Sequence, residues 1–192
     1  MSRLLRDVRH VIVDRDGVLN EEAPHGGYIT HPDAWRWISG SLQALEMLSR
    51  GGLRLSIATN QSGVGRGLMT ARDLDDVHAR MRRDVAAAGG RIDAVFVCPH
   101  APGEGCICRK PQPGLILAAL AAAGIPAEQT LVVGDALRDL QAARAAGVDA
   151  VLVLTGKGRS VLGNADCDGI PVYDDLHAFA VALLAARAAG DS

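Results

Sequence analysis

Short apolar runs alternate with longer stretches of helical spacing along most of the chain. His10–Val13 reads as a buried strand, and Leu53–Ala58, Ala94–Val97, Thr130–Val133 and Ala150–Leu154 as four more. Leu42, Leu45 and Leu48 keep helical spacing, and Gly51-Gly52 stops that helix. Thr70 is a candidate N-cap, with Asp73 three residues on as an acidic variant of the capping box. Leu74, Val77, Met81 and Val85 then line one helix face up to Gly89-Gly90. Pro113–Ala123 reads as a helix with Pro in its first turn and Gly124 past its end. Leu137–Ala146 is the next helix, and a last one covers residues 175–189. This alternation predicts βαβ units: an α/β fold with a doubly wound parallel sheet and helices on both faces.

Composition narrows the class. The 192 residues suit one domain, 1–192. With 48% hydrophobic residues but only six aromatics, the core must be filled by Ala, Val, Leu and Ile. The longest apolar run, Leu115–Ala123, has 9 residues, about half of a membrane span. The first residues, MSRLLRDVRHVIVDRD, carry charges through the first apolar stretch and do not resemble a signal peptide. A cytoplasmic protein is expected, with no membrane partner. The net charge of −2 argues against a nucleic-acid partner. Arginines number 18, but lysines only 2, Lys110 and Lys157.

In open parallel sheets, ligands bind beyond the carboxyl ends of the strands. Polar residues cluster at those places: Asp14 and Asp16, Thr59 to Gly63, Cys98 to His100, Gly134-Asp135, and Thr155 to Lys157. Asp14 and Asp16 lie two apart on extended chain and can face one pocket. Together with Asp135 they form a set suited to a hard cation, Mg²⁺ before Zn²⁺. Taken alone, Asp before Gly at a strand end also serves ordinary turns.

Four motifs in order make the resemblance specific. Asp14-Arg15-Asp16-Gly17-Val18-Leu19-Asn20, Thr59 of Ala58-Thr59-Asn60-Gln61, Lys110 of Arg109-Lys110-Pro111, and Gly134-Asp135 with Asp139 resemble the signatures of haloacid dehalogenase (HAD) phosphatases. The resemblance implies a HAD-like phosphatase domain in which Asp14 attacks phosphorus and forms an aspartyl-phosphate. It also implies that Asp16 donates a proton to the leaving oxygen and then takes one from water. Thr59 and Lys110 would hold the phosphoryl oxygens. Mg²⁺ would bind Asp14, the Asp16 carbonyl and Asp135, supported by Asp139.

Cys98, His100, Cys106 and Cys108 form a Cys₃His set suited to structural Zn²⁺, in competition with a disulfide plus spare thiol or with unligated residues. Cys-Pro-His followed by Cys-x-Cys-Arg-Lys-Pro resembles the zinc loop of the histidinol-phosphate and heptose-bisphosphate phosphatase branch. A zinc-bound loop ending at Cys108 would fix Lys110. Cys167 reads as a buried or ordinary thiol.

The stretches between motifs have no room for a separate cap domain, so loops must select the substrate. The candidate contacts are Asn20, His25, Gly26, Tyr28, Asn60, Gln61, Ser62, Arg66 and Arg109. Hydroxyl-rich contacts and two arginines suit a polyol with a second anionic group. Asn-Gln-Ser-Gly-x-x-Arg-Gly and the loop His25-Gly26-Gly27-Tyr28 resemble the heptose-bisphosphate group, although this loop carries an extra Gly. The alternative within the branch is histidinol phosphate, whose enzymes more often have Asp where this chain has Ser62. Further alternatives are a polynucleotide 3′-phosphatase and a non-catalytic zinc-stabilised module. The expected partner is a small sugar bisphosphate, and the expected species a monomer or weak dimer. His10, His31, His78 and His177 are expected on the surface or in packing, Trp35 and Trp37 in core or rim packing. Arg80, Arg82 and Arg83 are expected on a solvated helix face, and Lys157 exposed.

Overall fold

A computed structural model describes residues 5–189. Six parallel strands form one sheet: β1 (His10–Val13), β2 (Arg54–Asn60), β3 (Ala94–Cys98), β4 (Thr130–Gly134), β5 (Asp149–Val153) and β6 (Val172–Tyr173). Their order is β3-β2-β1-β4-β5-β6. The chain moves outward from β1 through β2 to β3, then returns to place β4 beside β1. The β1/β4 boundary is therefore the topological switch point, where a crevice opens beyond the strand ends.

Among the described residues, the helices that accompany the sheet are α1 (Ser41–Arg50), α2 (Ser62–Gly65), α3 (Ala71–Ala87), α4 (Gly114–Ala123), α5 (Leu137–Ala145), α6 (Gly158–Val161) and α7 (Leu176–Ala188). Side chains alternate across a strand, so β1 feeds two cores. Val11 and Val13 pack with Leu45 and Leu48 of α1, Val77 and Met81 of α3, and Phe179 and Leu183 of α7. Ile12 packs on the other face with Ile116 and Ala119 of α4 and Leu140 and Ala143 of α5. Both faces are thus covered, and the buried strands are mostly apolar, with His10, Ser56, Thr59 and Thr130 as buried polar exceptions.

The expected strands and long helices are present, with ends shifted by a residue or two. Thr70 caps α3 as expected, accepting from Asp73 N at 3.1 Å while Asp73 Oδ2 accepts from Thr70 N at 2.8 Å. Beyond the expectation are β6, α2 and α6, each too short to show a period. The segment after β1 holds 3₁₀ turns at Pro24–Gly26 and Pro32–Ala34. It also forms bridges between Asp16 and Asn20 and between Asn20 and Trp37. No helix among the described residues is long and apolar enough to cross a membrane.

Candidate active site

Pairing of Val13 with Val133 sets the ends of β1 and β4 level. The Asp14 N–H donates to Val133 O at 2.9 Å, so Asp14 and Gly134-Asp135 leave the sheet side by side. Carboxylate oxygens of Asp14, Asp135 and Asp139 lie within 4.8 Å of one another, and all three residues are buried. Two glycines make this possible. Gly17 and Gly156 both have positive φ, and a Cβ on either would collide with Asp135 Oδ2. Lys157 N–H donates to that same oxygen at 2.7 Å.

Lys110 enters this acidic floor from the segment after β3. Its Nζ donates to Ala58 O at 2.7 Å and pairs with Asp14 Oδ1 at 2.9 Å and Asp139 Oδ1 at 2.6 Å. Burial alone would drive off its proton, but Asp139 and Asp14 outweigh that and hold it charged. Asn60 secures its backbone: Asn60 Nδ2 donates to Lys110 O and Lys110 N donates to Asn60 Oδ1, each at 3.0 Å. Asn60 lines the cleft, yet its amide serves Lys110.

One buried lysine does not balance three carboxylates. Burial, then the neighbouring negative charges, raises Asp135 to about 7. Burial raises Asp14 to about 6 against the pull of Lys110. Asp135 Oδ1 is buried without a hydrogen-bond partner. An all-oxygen donor set with an unpartnered carboxylate oxygen fits a hard divalent cation, which would restore both groups to their charged forms.

Asp16 faces the cleft rather than this cluster. Its Oδ1 accepts from Arg15 Nη2 at 2.8 Å and Asn20 Nδ2 at 3.0 Å, and its Oδ2 from Gln61 Nε2 at 2.7 Å. Burial would raise this acid, but Arg15 and these hydrogen bonds hold it below the usual carboxylate range. Gln61 also donates to Thr59 Oγ1 at 2.8 Å, which leaves the hydroxyl proton of Thr59 for another acceptor. Arg15 is itself saturated: it contacts His78 Nε2 at 3.1 Å and lies over the buried Trp35 ring at 5.8 Å.

The cleft is lined by Gly26, Gly27, Tyr28, Asn60, Gln61 and Arg109, and also by Glu22, Arg138 and Lys157. Tyr28 is fixed by its hydroxyl 3.0 Å from Ser62 Oγ. Of the expected contacts, Asn20 and Ser62 sit behind the cleft as supports. Arg66 is exposed and is not among the lining residues. The side chain of His25 lies outside the described residues. Arg138 was missed because it reads as one more arginine on an amphipathic helix. Lys157 is exposed, as expected, and pairs with Glu22 at the cleft mouth.

Cys98, His100, Cys106 and Cys108 converge at the far end of the same loop, their ligand atoms within 4.8 Å of one another. Cys98 and Cys106 sulfurs are 3.7 Å apart, and His100 Nδ1 lies 3.5 Å from Cys98 Sγ and 3.2 Å from Cys108 Sγ. A tetrahedral site with metal–sulfur bonds of about 2.3 Å has sulfur–sulfur edges of about 3.8 Å. The set therefore has the size of a thiolate–imidazole metal site. No disulfide forms among the four cysteines. Cys167 is buried, its thiol donating to Val161 O at 3.3 Å.

Comparison with known proteins agrees with this geometry. The HAD-hydrolase-like family matches residues 107–179. A D-glycero-beta-D-manno-heptose-1,7-bisphosphate 7-phosphatase of Bordetella bronchiseptica is 43% identical over 180 residues, covering 91% of this chain and 97% of that protein. A D-glycero-alpha-D-manno-heptose-1,7-bisphosphate 7-phosphatase of Mycobacterium tuberculosis is 38% identical over 182 residues, 92% of each. The crystal structure of the B. bronchiseptica enzyme, complexed with magnesium and phosphate, superposes with a TM-score of 0.88 at 41% identity, covering 93% of this chain and 99% of that one. On these identities and coverages, and with the DxD, Thr, Lys and Asp motifs at the strand ends, the chain belongs to the heptose-1,7-bisphosphate 7-phosphatase family of HAD-type phosphatases.

Proposed function

We propose that this protein is a Mg²⁺-dependent phosphomonoesterase that removes the 7-phosphate of D-glycero-D-manno-heptose 1,7-bisphosphate through an aspartyl-phosphate on Asp14. The observation that carries the chemistry is the buried floor of Asp14, Asp135 and Asp139 gripped by Lys110 at the switch point of the sheet. Asp14 is the nucleophile, because its Oδ2 is not tied by Arg15 or Lys110, which both contact Oδ1. Lys110 and the Thr59 hydroxyl hold the transferring oxygens. Asp16, fixed by Gln61 and Asn20, protonates the departing sugar oxygen and then takes a proton from water. The negative charge of an incoming phosphate favours protonation of Asp16 for the first of these steps.

Asp14, the Asp16 carbonyl and Asp135 would hold Mg²⁺, with Asp139 in support, and the ion supplies charge neutralisation between carboxylate and phosphate. Cys98, His100, Cys106 and Cys108 would hold a structural Zn²⁺. Tyr28, Gln61 and Arg109 line the path of the sugar, and Arg109 suits its second phosphate. Relatives named for the β-anomer reach 43% identity and those named for the α-anomer 38%, which favours the β-anomer. The substrate test is kcat/KM for both heptose bisphosphate anomers and histidinol phosphate. The β-anomer should be preferred. A preference for histidinol phosphate of about tenfold or more, 1.4 kcal/mol in transition-state binding, would overturn the substrate assignment.

A further inference from the structure

Arg138 stands in the first turn of α5, one residue before Asp139. Its side chain is 33% exposed, lines the cleft, and brings Nη2 to 3.9 Å from Asp14 Oδ2. It makes no side-chain hydrogen bond with any described residue, and its Nε is buried and unpartnered. A guanidinium has five N–H donors in a rigid fork that matches phosphate oxygens. The other arginines near the site are differently placed. Arg15 is fully engaged by Asp16 and His78, and Arg109 Nη1 donates to His100 O at 3.3 Å.

The neighbours of Arg138 are Asp14, Asp135, Asp139 and Glu22, so its charge is held firmly in place. Long-range attraction positions the group, while its terminal Nη donors make no hydrogen bond with the described residues. Lys110 reaches Asp14 through Oδ1, and Arg138 approaches Oδ2. An oxygen of a phosphoryl group attacked by Oδ2 would lie in the space that Nη2 faces.

We propose that Arg138 is a further catalytic residue, which donates hydrogen bonds to the oxygens of the phosphoryl group transferred to Asp14. This rests on the aspartyl-phosphate reading above. Arg138 therefore acts on any phosphomonoester, because it binds the group common to all of them and not the second phosphate of a bisphosphate.

The test uses the full-length wild type, Arg138→Gln, Arg138→Lys and Asp14→Asn, assayed with Mg²⁺ on an aryl phosphate and on the heptose bisphosphate. Inorganic phosphate binding and thermal unfolding are measured beside them. Arg138→Gln should lose about 100-fold in kcat on both esters, as when one oxyanion donor is removed. It should bind inorganic phosphate about tenfold more weakly and unfold near the wild-type midpoint. Arg138→Lys keeps the charge without the fork and should fall between the two, which also reads the proposal if the Gln variant does not fold. Activity and phosphate affinity of the Gln or Lys variant within about twofold of wild type would overturn it. So would a loss seen only as a raised KM for the bisphosphate, or a loss of kcat with phosphate binding unchanged. Inactive wild type, or an active Asp14→Asn, would instead overturn the aspartyl-phosphate reading.

Discussion

Lys110 is 3% exposed and meets three oxygens at once, from Ala58, Asp14 and Asp139. A compact ammonium fits that pocket, whereas a guanidinium is larger and planar. Lys110→Arg should therefore lower kcat by about 100-fold or more through a displaced Asp14. Lys157→Arg should cost less than about fivefold, because Lys157 pairs with Glu22 at a half-exposed rim where a longer cation is accommodated. Steady-state kinetics on an aryl phosphate compare the two, and equal losses would contradict this assignment. The two lysines of an Arg-rich chain thus differ in setting, Lys110 in the buried floor and Lys157 at the rim of the cleft. Asn60 and Gln61 show how supports differ from contacts. Their amides hold Lys110 and Asp16 in place, so the Thr-Asn-Gln sequence after β2 is in large part positioning machinery.

The loop from Cys98 to Lys110 joins β3 to the site without regular secondary structure. Its ends are anchored, at Cys98 in the core and at Lys110 through Asn60, while Ala101–Gly105 lies between. Burial pushes the Cys98 thiol up to about 12, so without a metal this cysteine stays a thiol and not a ligand thiolate. A bound zinc would hold it and with it Arg109 and Lys110. The purified protein should contain about one zinc per chain, and stripping it should lower phosphatase activity at least tenfold even in excess Mg²⁺. Metal analysis finding far less than one zinc, or a stripped protein of full activity, would contradict this role. The long elements were legible in the sequence because their signals are local: periodicity in α3, the Thr70 cap, Gly124 beyond α4. The two-residue β6 and four-residue α2 and α6 were not, because each is made by packing against neighbours. Likewise Arg138 joins the cleft only through tertiary approach, which no spacing rule reveals.

The sheet separates two kinds of polar residue. At the carboxyl end of β1 are the reactive aspartates. At its start lies His10, fully buried, with Nε2 2.9 Å from Ser56 Oγ and Nδ1 3.5 Å from Thr130 Oγ1. Burial, aided by Arg54, lowers His10 to about 4 in the folded chain. The unfolded chain takes up this proton first as pH falls, so the stabilisation is complete above about 6.5 and is lost toward pH 4. His78, also lowered in the folded chain, and the raised Asp14 and Asp135 titrate in both proteins, so between pH 7 and pH 5 the unfolding midpoint of His10→Gln should fall less, or rise more, than that of the wild type. An identical pH dependence in the variant would exclude His10 as its source. Activity and stability are thus separable along one strand, since Asp14 lies just past the apolar residues of β1 that pack the core. Asp14→Asn keeps shape and volume but gives up the nucleophile and one carboxylate of the cation site. Phosphate release from heptose bisphosphate with Mg²⁺ should fall by about 1,000-fold or more in Asp14→Asn, with the unfolding midpoint preserved. A folded Asp14→Asn protein within about tenfold of wild-type turnover would contradict catalysis through an aspartyl-phosphate at this position.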